Sequence, residues 1–100
     1  MSGSRKLMLP EEVRKRSIEL PDWTVLDGKK LSRDFRFEDF KGALAIVNRI
    51  GEIAETQGHH PDIRLAWGSV GVETWTHDAG GLTDQDFLLA ASINQLSATL

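Results

Sequence analysis

One hundred residues with 40% hydrophobic and 27% charged side chains make one small globular domain, since a single core usually occupies about 100 to 150 residues, and a two-domain cleft enzyme is thereby excluded. The chain has no Cys, no Tyr and three His, at His59, His60 and His77, which excludes thiol nucleophiles, disulfides, cysteine-ligated zinc or iron-sulfur centres and a tyrosine acid. A formal net charge of -3 gives no drive toward nucleic acid, and the longest apolar run, Ala43 to Val47, is far shorter than the roughly 20 residues of a membrane span, so neither nucleic acid nor membrane is expected as a partner.

Met1 to Leu9 carries Arg5 and Lys6 but no apolar stretch of secretory-signal length, and is read as a short frayed tail on a single cytoplasmic domain spanning 1–100. The lack of Cys agrees with that compartment. Pro10-Glu11-Glu12-Val13 has the proline and acids of a helix start, and Val13, Ser17 and Leu20 form a thin apolar stripe before Pro21 ends it. Trp23 to Leu26 reads as a strand, Asp27-Gly28-Lys29-Lys30 as a turn, and Leu31 to Phe37 as a second strand with Leu31, Arg33, Phe35 and Phe37 on one face. The Asp-Gly pair is a strong hairpin signal.

From Glu38 to Gln57, Phe40, Ala43, Leu44, Val47, Ile50 and Ala54 recur at three- and four-residue steps, widened by Ile46 and Ile53, which predicts a long amphipathic helix. Gly58 stands where a left-handed helix stop belongs and leads into His59-His60-Pro61. Ile63 to Ala66, extending toward Trp67, reads as a third strand, Gly68-Ser69 as its turn, and Val70 to Thr76 as a fourth, with Val70, Val72 and Thr74 opposite Gly71, Glu73 and Trp75. Asp78 to Gly81 reads as a loop. Thr83 then caps a final helix with Asp86 three positions on, a short-acid capping box. Phe87, Leu88, Ala91, Ile93, Asn94 and Leu96, continued by Leu89 and Ala90, form its sheet-facing side.

The order helix-strand-strand-helix-strand-strand-helix gives an α+β fold in which two hairpins join into a four-stranded antiparallel sheet with three helices packed on one face. The other sheet face is left to solvent or a second subunit. Positions 1–36 hold nine of the twelve basic residues against six acids, and positions 37–100 hold three against nine. Arg14-Lys15-Arg16 and Lys29-Lys30 are read as solvated helix and turn surfaces rather than a phosphate patch.

Pro61 forces His60 out of helical geometry, so the two adjacent imidazoles point in different directions from one extended backbone. His77 follows the fourth strand, and pairing of the third and fourth strands brings the start of one beside the end of the other. Three imidazoles with an ordinary pKa of about 6.5 suit proton transfer at neutral pH. Glu55, four residues before His59, is placed to orient its ring; Asp78 and Asp86 are placed to do so for His77, and Trp67 or Trp23 offers a flat surface for a planar ligand. A zinc site on the same residues is the weaker reading, because adjacent histidines rarely share one metal and no His pair at i, i+4 accompanies them.

Glu55-Thr56-Gln57-Gly58-His59-His60-Pro61-Asp62, the aromatic Trp67, Thr76-His77-Asp78 and Gly80-Gly81-Leu82-Thr83-Asp84-Gln85-Asp86 together resemble the pterin-4a-carbinolamine dehydratases, also called 4a-hydroxytetrahydrobiopterin dehydratases. The likeness runs upstream through Phe40, Phe35-Arg36-Phe37, Leu31 and Trp23, from about Leu20 onward. It implies removal of water from a 4a-hydroxytetrahydropterin to give quinonoid dihydropterin, in tetrahydrobiopterin recycling after an aromatic amino acid hydroxylase has turned over, with no metal and no cofactor. It implies His59, His60 and His77 as catalytic residues: His59 and His77 the acid-base pair, His60 also binding and orienting the pterin. Pro61, Trp67 and Asp86 would join the substrate-binding surface, with Glu55, Trp23 and Asp78 in support. A homodimer or homotetramer is implied as well.

Thr74-Trp75, Pro21-Asp22-Trp23, Gly68 and Gly71 depart from the family's usual residues without removing a motif histidine. The second reading is a non-catalytic dimerisation or assembly module, or a transcriptional coactivator, on the same fold. Family variants of that kind tend to lose a motif histidine, and the presence of all three favours the enzyme.

Overall fold

Asp27 and Gly28 both take positive φ, 52° and 68°, and the Lys29 N–H closes the turn on the Leu26 carbonyl at 2.9 Å. Two positive φ values in succession match the right-handed strand twist, so the pair joins β1 (Thr24–Leu26) to β2 (Lys30–Arg36) as an antiparallel hairpin. The computed structural model describes residues 4–99, within which α1 (Pro10–Ser17) precedes that hairpin, and α2 (Phe40–Gln57), β3 (Asp62–Ala66), β4 (Ser69–Thr74) and α3 (Asp84–Thr99) follow it. The sheet order is β1-β2-β4-β3, all antiparallel. The expected α+β architecture is therefore present, with the two hairpins joined through β2 and β4.

Leu31, Phe35, Val70 and Val72 face the helices and are buried, while Ser32, Asp34, Glu73 and Arg64 alternate onto the open face. Gly71 has a steric reason. A Cβ there would stand 2.6 Å from the Arg64 guanidinium and 3.0 Å from Asp34 Oδ1, so its hydrogen lets the arginine lie across β4 beside the aspartate. The turn between β3 and β4 consists of Trp67 and Gly68 rather than Gly68-Ser69, and β4 stops at Thr74. Past that point Thr76 bridges to Gly81 and His77–Ala79 forms a 3-10 turn, where strand and loop were expected.

Asp39 begins α2 by accepting the Gly42 N–H at 2.8 Å, and Gly58 ends it at φ 72°. Ala43, Ile46, Ile50 and Ala54 form the buried line of this helix, so Ile46 is central rather than flanking. Phe40 and Leu44, expected in the stripe, remain 44% and 41% exposed. On α3 the buried residues are Phe87, Leu89, Ala90, Ile93 and Leu96, and Leu88 turns outward. Asn94, counted with the apolar side, is a polar node whose Oδ1 accepts from both Trp23 Nε1 and Arg33.

The tail reading also needs correction. Residues 1–3 lie outside the described residues, but beyond them the Met8 N–H bonds the Leu82 carbonyl at 2.9 Å and Leu7 packs against Gly81, so the segment 4–9 is docked rather than frayed. Among the described residues no helix is long and apolar enough to cross a membrane.

Ile46→Ala should destabilise the domain by about 2–5 kcal/mol, the range for truncating a buried aliphatic chain, whereas Leu44→Ala should cost less than about 1 kcal/mol. Urea denaturation followed by tryptophan fluorescence measures both.

Candidate active site

The left-handed turn at Gly58 lets one acceptor, the Ala54 carbonyl, take both the Gly58 N–H at 2.8 Å and the His59 N–H at 3.1 Å. The chain leaves the helix there and enters β3 in extended form. Asp62 pairs with Glu73 near the end of β4, so His59 and His60 lie just before one strand, close to where His77 follows the other. All three imidazoles reach a pocket of about 210 Å³ at this end of the sheet, shared with Arg5, Gly58, Trp75 and Asp78.

His59 is 6% exposed and Asp86 0%. The two meet at 2.6 Å between Nε2 and Oδ1, and Oδ1 also accepts the Thr74 hydroxyl at 2.7 Å. Oδ2 accepts the Thr76 hydroxyl and the Thr83 N–H, each at 2.9 Å. A hydroxyl has a single proton to give, which sets the direction of the remaining bonds. Thr76 spends its proton on Asp86, so Thr83 Oγ1 donates to Thr76 Oγ1 at 2.8 Å, and Thr83 Oγ1 in turn accepts the Gln85 N–H at 3.2 Å. With a carboxylate as acceptor, His59 carries its proton on Nε2.

The other two histidines are exposed. His60 pairs through Nε2 with Glu55 on the last turn of α2. It also lines, with Glu55, Pro61 and Ile63, a wider groove of about 860 Å³ along α2. The His77 imidazole makes no hydrogen bond among the described residues; its ring partner is Trp75, with centroids 4.5 Å apart and planes at 44°. Asp78 accepts from Arg5 at 2.6 Å, and that guanidinium holds its carboxyl below the ordinary 3.8, assisted by a backbone hydrogen bond. Among the described residues no three His, Cys, Asp or Glu side chains are arranged to hold a metal ion.

Several sequence-predicted roles change partner. Glu55 meets His60 rather than His59, and Asp86 meets His59 rather than His77. Asp86 stands behind His59 with no exposed surface, so it supports the imidazole instead of lining a substrate surface. Pro61 lines the adjacent groove. Trp67 occupies the β3–β4 turn, 69% exposed at the far end of the hairpin from the histidines. Trp23 is in the core, its Nε1–H given to Asn94 at 2.8 Å. The structure brings neither tryptophan to the pocket, and supplies Trp75 and Arg5 instead. Trp75 was legible as a strand residue two before His77; Arg5, 73 residues from Asp78, had no local signal.

Residues 6–96 match the model of the family described as pterin 4 alpha carbinolamine dehydratase. A Rubrobacter xylanophilus protein, provisionally named pterin-4-alpha-carbinolamine dehydratase, is 46% identical over 86% of this chain and 80% of its own. A solved structure from Brucella melitensis, described as a transcriptional coactivator/pterin dehydratase, superposes with a TM-score of 0.82 at 29% identity, over 91% of this chain and 97% of that one. A pterin dehydratase-like protein identified as a RuBisCO assembly factor in the alpha-carboxysome superposes at 0.65 over 76% of this chain and 89% of its own; at 18% identity it shares the fold.

Asp86→Ala leaves four buried donors without an acceptor and should cost about 3–5 kcal/mol in chemical denaturation, since each unsatisfied buried polar group costs about 1–3 kcal/mol. For Asp78, a folded-state pKa below the unfolded one means the Arg5 tie is intact above that value and lost as pH falls through it. Carboxyl NMR should show Asp78 titrating below 3.8, and Arg5→Gln should move it back toward that value.

Proposed function

Because the chain belongs to the pterin 4 alpha carbinolamine dehydratase family, we propose that it removes water from 4a-hydroxytetrahydrobiopterin or a close tetrahydropterin analogue, giving the quinonoid dihydropterin. The observation that carries this reading is the convergence of three differently held imidazoles on one small open pocket. In the reaction the C4a–O bond breaks while the departing hydroxyl takes a proton and leaves as water. The proton on N5 goes to a base as the C4a–N5 double bond forms, so one proton is given, one is taken, and no electrons are exchanged.

The pocket offers groups for both transfers. His59 is fixed through Nε2, while His77 is exposed and engaged by no hydrogen bond among the described residues. These two form the acid-base pair in our proposal. His60, at the border between the histidine pocket and the α2 groove, orients the pterin. We place the protein in the cytoplasm as a homodimer or homotetramer serving an aromatic amino acid hydroxylase.

A second reading, a protein-assembly or coactivator module, draws support from the exposed Phe40, Leu44 and Trp67 and from the description of the Brucella melitensis protein. It predicts partner binding that is indifferent to the histidines.

Mixing the protein with chemically generated 4a-hydroxytetrahydropterin and following the quinonoid product by absorbance tests the first reading. Dehydration should exceed the buffer rate at micromolar protein, and an equal rate would overturn the proposal. His77→Ala should lower turnover about a hundredfold or more, the scale of a lost acid-base group.

A further inference from the structure

His59 and His60 each fix a ring nitrogen on a carboxylate, and His77 does not. Its imidazole has an aromatic neighbour instead, the Trp75 indole at 4.5 Å and 44°, in the wall of the same pocket. The indole is itself held. Extending the β2–β4 register one step beyond the Leu31–Thr74 pair places Lys30 opposite Trp75, and the ammonium lies 4.1 Å from the indole centroid. Glu73, two residues before Trp75 and so on the same strand face, reaches that ammonium at 3.7 Å. Cross-strand neighbours of this kind lock each other's rotamers, and a cation over an indole face is attracted by the ring quadrupole.

We propose, resting on the dehydratase reading of the pocket, that Trp75 is a positioning residue that sets the plane of the His77 imidazole, with Lys30 and Glu73 holding the indole in place. The row Glu73, Lys30, Trp75, His77 gives the third histidine the orientation that carboxylates give the other two. It also gives Lys30, at the end of the Asp27-Gly28 turn, a role in the site that a solvated charge would not have. A tilted aromatic contact restricts the ring without occupying either nitrogen. Both nitrogens of His77 therefore stay available to substrate and water.

The test uses Trp75→Leu, Trp75→Phe and Lys30→Met in the full chain, with His ring-proton resonances as one readout and steady-state dehydration as the other. The indole ring current should displace the His77 resonances in the wild type. Trp75→Leu should abolish that displacement while the His59 resonances, which report the buried Asp86 pair, stay in place and certify the fold. Turnover in Trp75→Leu should fall about tenfold with KM within about twofold, a smaller loss than removing the acid-base group itself, because the group is present but misaimed. Trp75→Phe should restore most of the turnover, and Lys30→Met should reduce the His77 displacement. Unmoved His77 resonances in Trp75→Leu would overturn the proposal, as would wild-type turnover with a displaced ring. A wild-type protein without dehydratase activity overturns the reading of the pocket, and the resonances still decide whether Trp75 orients His77.

Discussion

A carboxylate with no exposed surface is costly to bury unless its lone pairs are met, and Asp86 is such a group. Its four donors come from three parts of the chain: His59 at the exit of α2, Thr74 and Thr76 at and beyond the end of β4, and the Thr83 N–H at the start of α3. The fold at this end is thereby tied to one residue. If α3 began a residue later, the capping N–H would be lost; if β4 slipped by one, Thr74 and Thr76 would turn to the open face. The same residue caps a helix, joins helix to sheet and holds an imidazole, so stability and the placing of His59 are one requirement. Gln57 strengthens it by donating to the Gln85 carbonyl at 2.8 Å, which fastens the end of α2 to the start of α3.

Around that fixed point the histidines are graded in freedom. His59 is buried against a buried acid; His60 is exposed against the exposed Glu55; His77 is exposed and held by an aromatic ring. The gradient runs from the core outward, because the chain passes from helix exit to strand within three residues while His77 follows the last ladder pair of β4. A buried pair keeps its geometry when the protein breathes, and exposed pairs are weaker and more easily displaced. Rigidity is thus concentrated in the imidazole that the core must accommodate, and adaptability is left to those at the pocket mouth.

The elements were legible where their cause was local. Asp27-Gly28 carried its own turn chemistry, the alternation from Leu31 to Phe37 carried its strand, and Gly58 marked the end of α2. Convergence of the histidines was legible too, since an antiparallel hairpin brings its two ends together. The pairing of acids with histidines was not. Glu55 has helical spacing to His59, but the left-handed Gly58 ends that periodicity, turns His59 inward and leaves Glu55 to His60. The tryptophans failed for a related reason. Trp23, Trp67 and Trp75 look alike as flat apolar side chains, and only the register and turn position decide that one is in the core, one on a hairpin tip and one beside His77. The Arg5–Asp78 contact depends on how the segment 4–9 docks through the Met8 N–H on the Leu82 carbonyl, which no periodicity encodes.

Two consecutive histidines with opposite environments follow from backbone geometry alone. Gly58 stops the helix, Pro61 keeps His60 extended, and in an extended chain neighbouring side chains leave on opposite sides. A helix continued through residues 59 and 60 would place the two rings about 100° apart on one cylinder, with His59 one turn from Glu55 and His60 turned away from it. The extended step instead sends one ring into the core and the next to solvent. The turn that ends α2 is therefore what allows a single dipeptide to supply both a buried, carboxylate-anchored imidazole and an exposed one, and it does so in a domain whose sequence holds just three histidines.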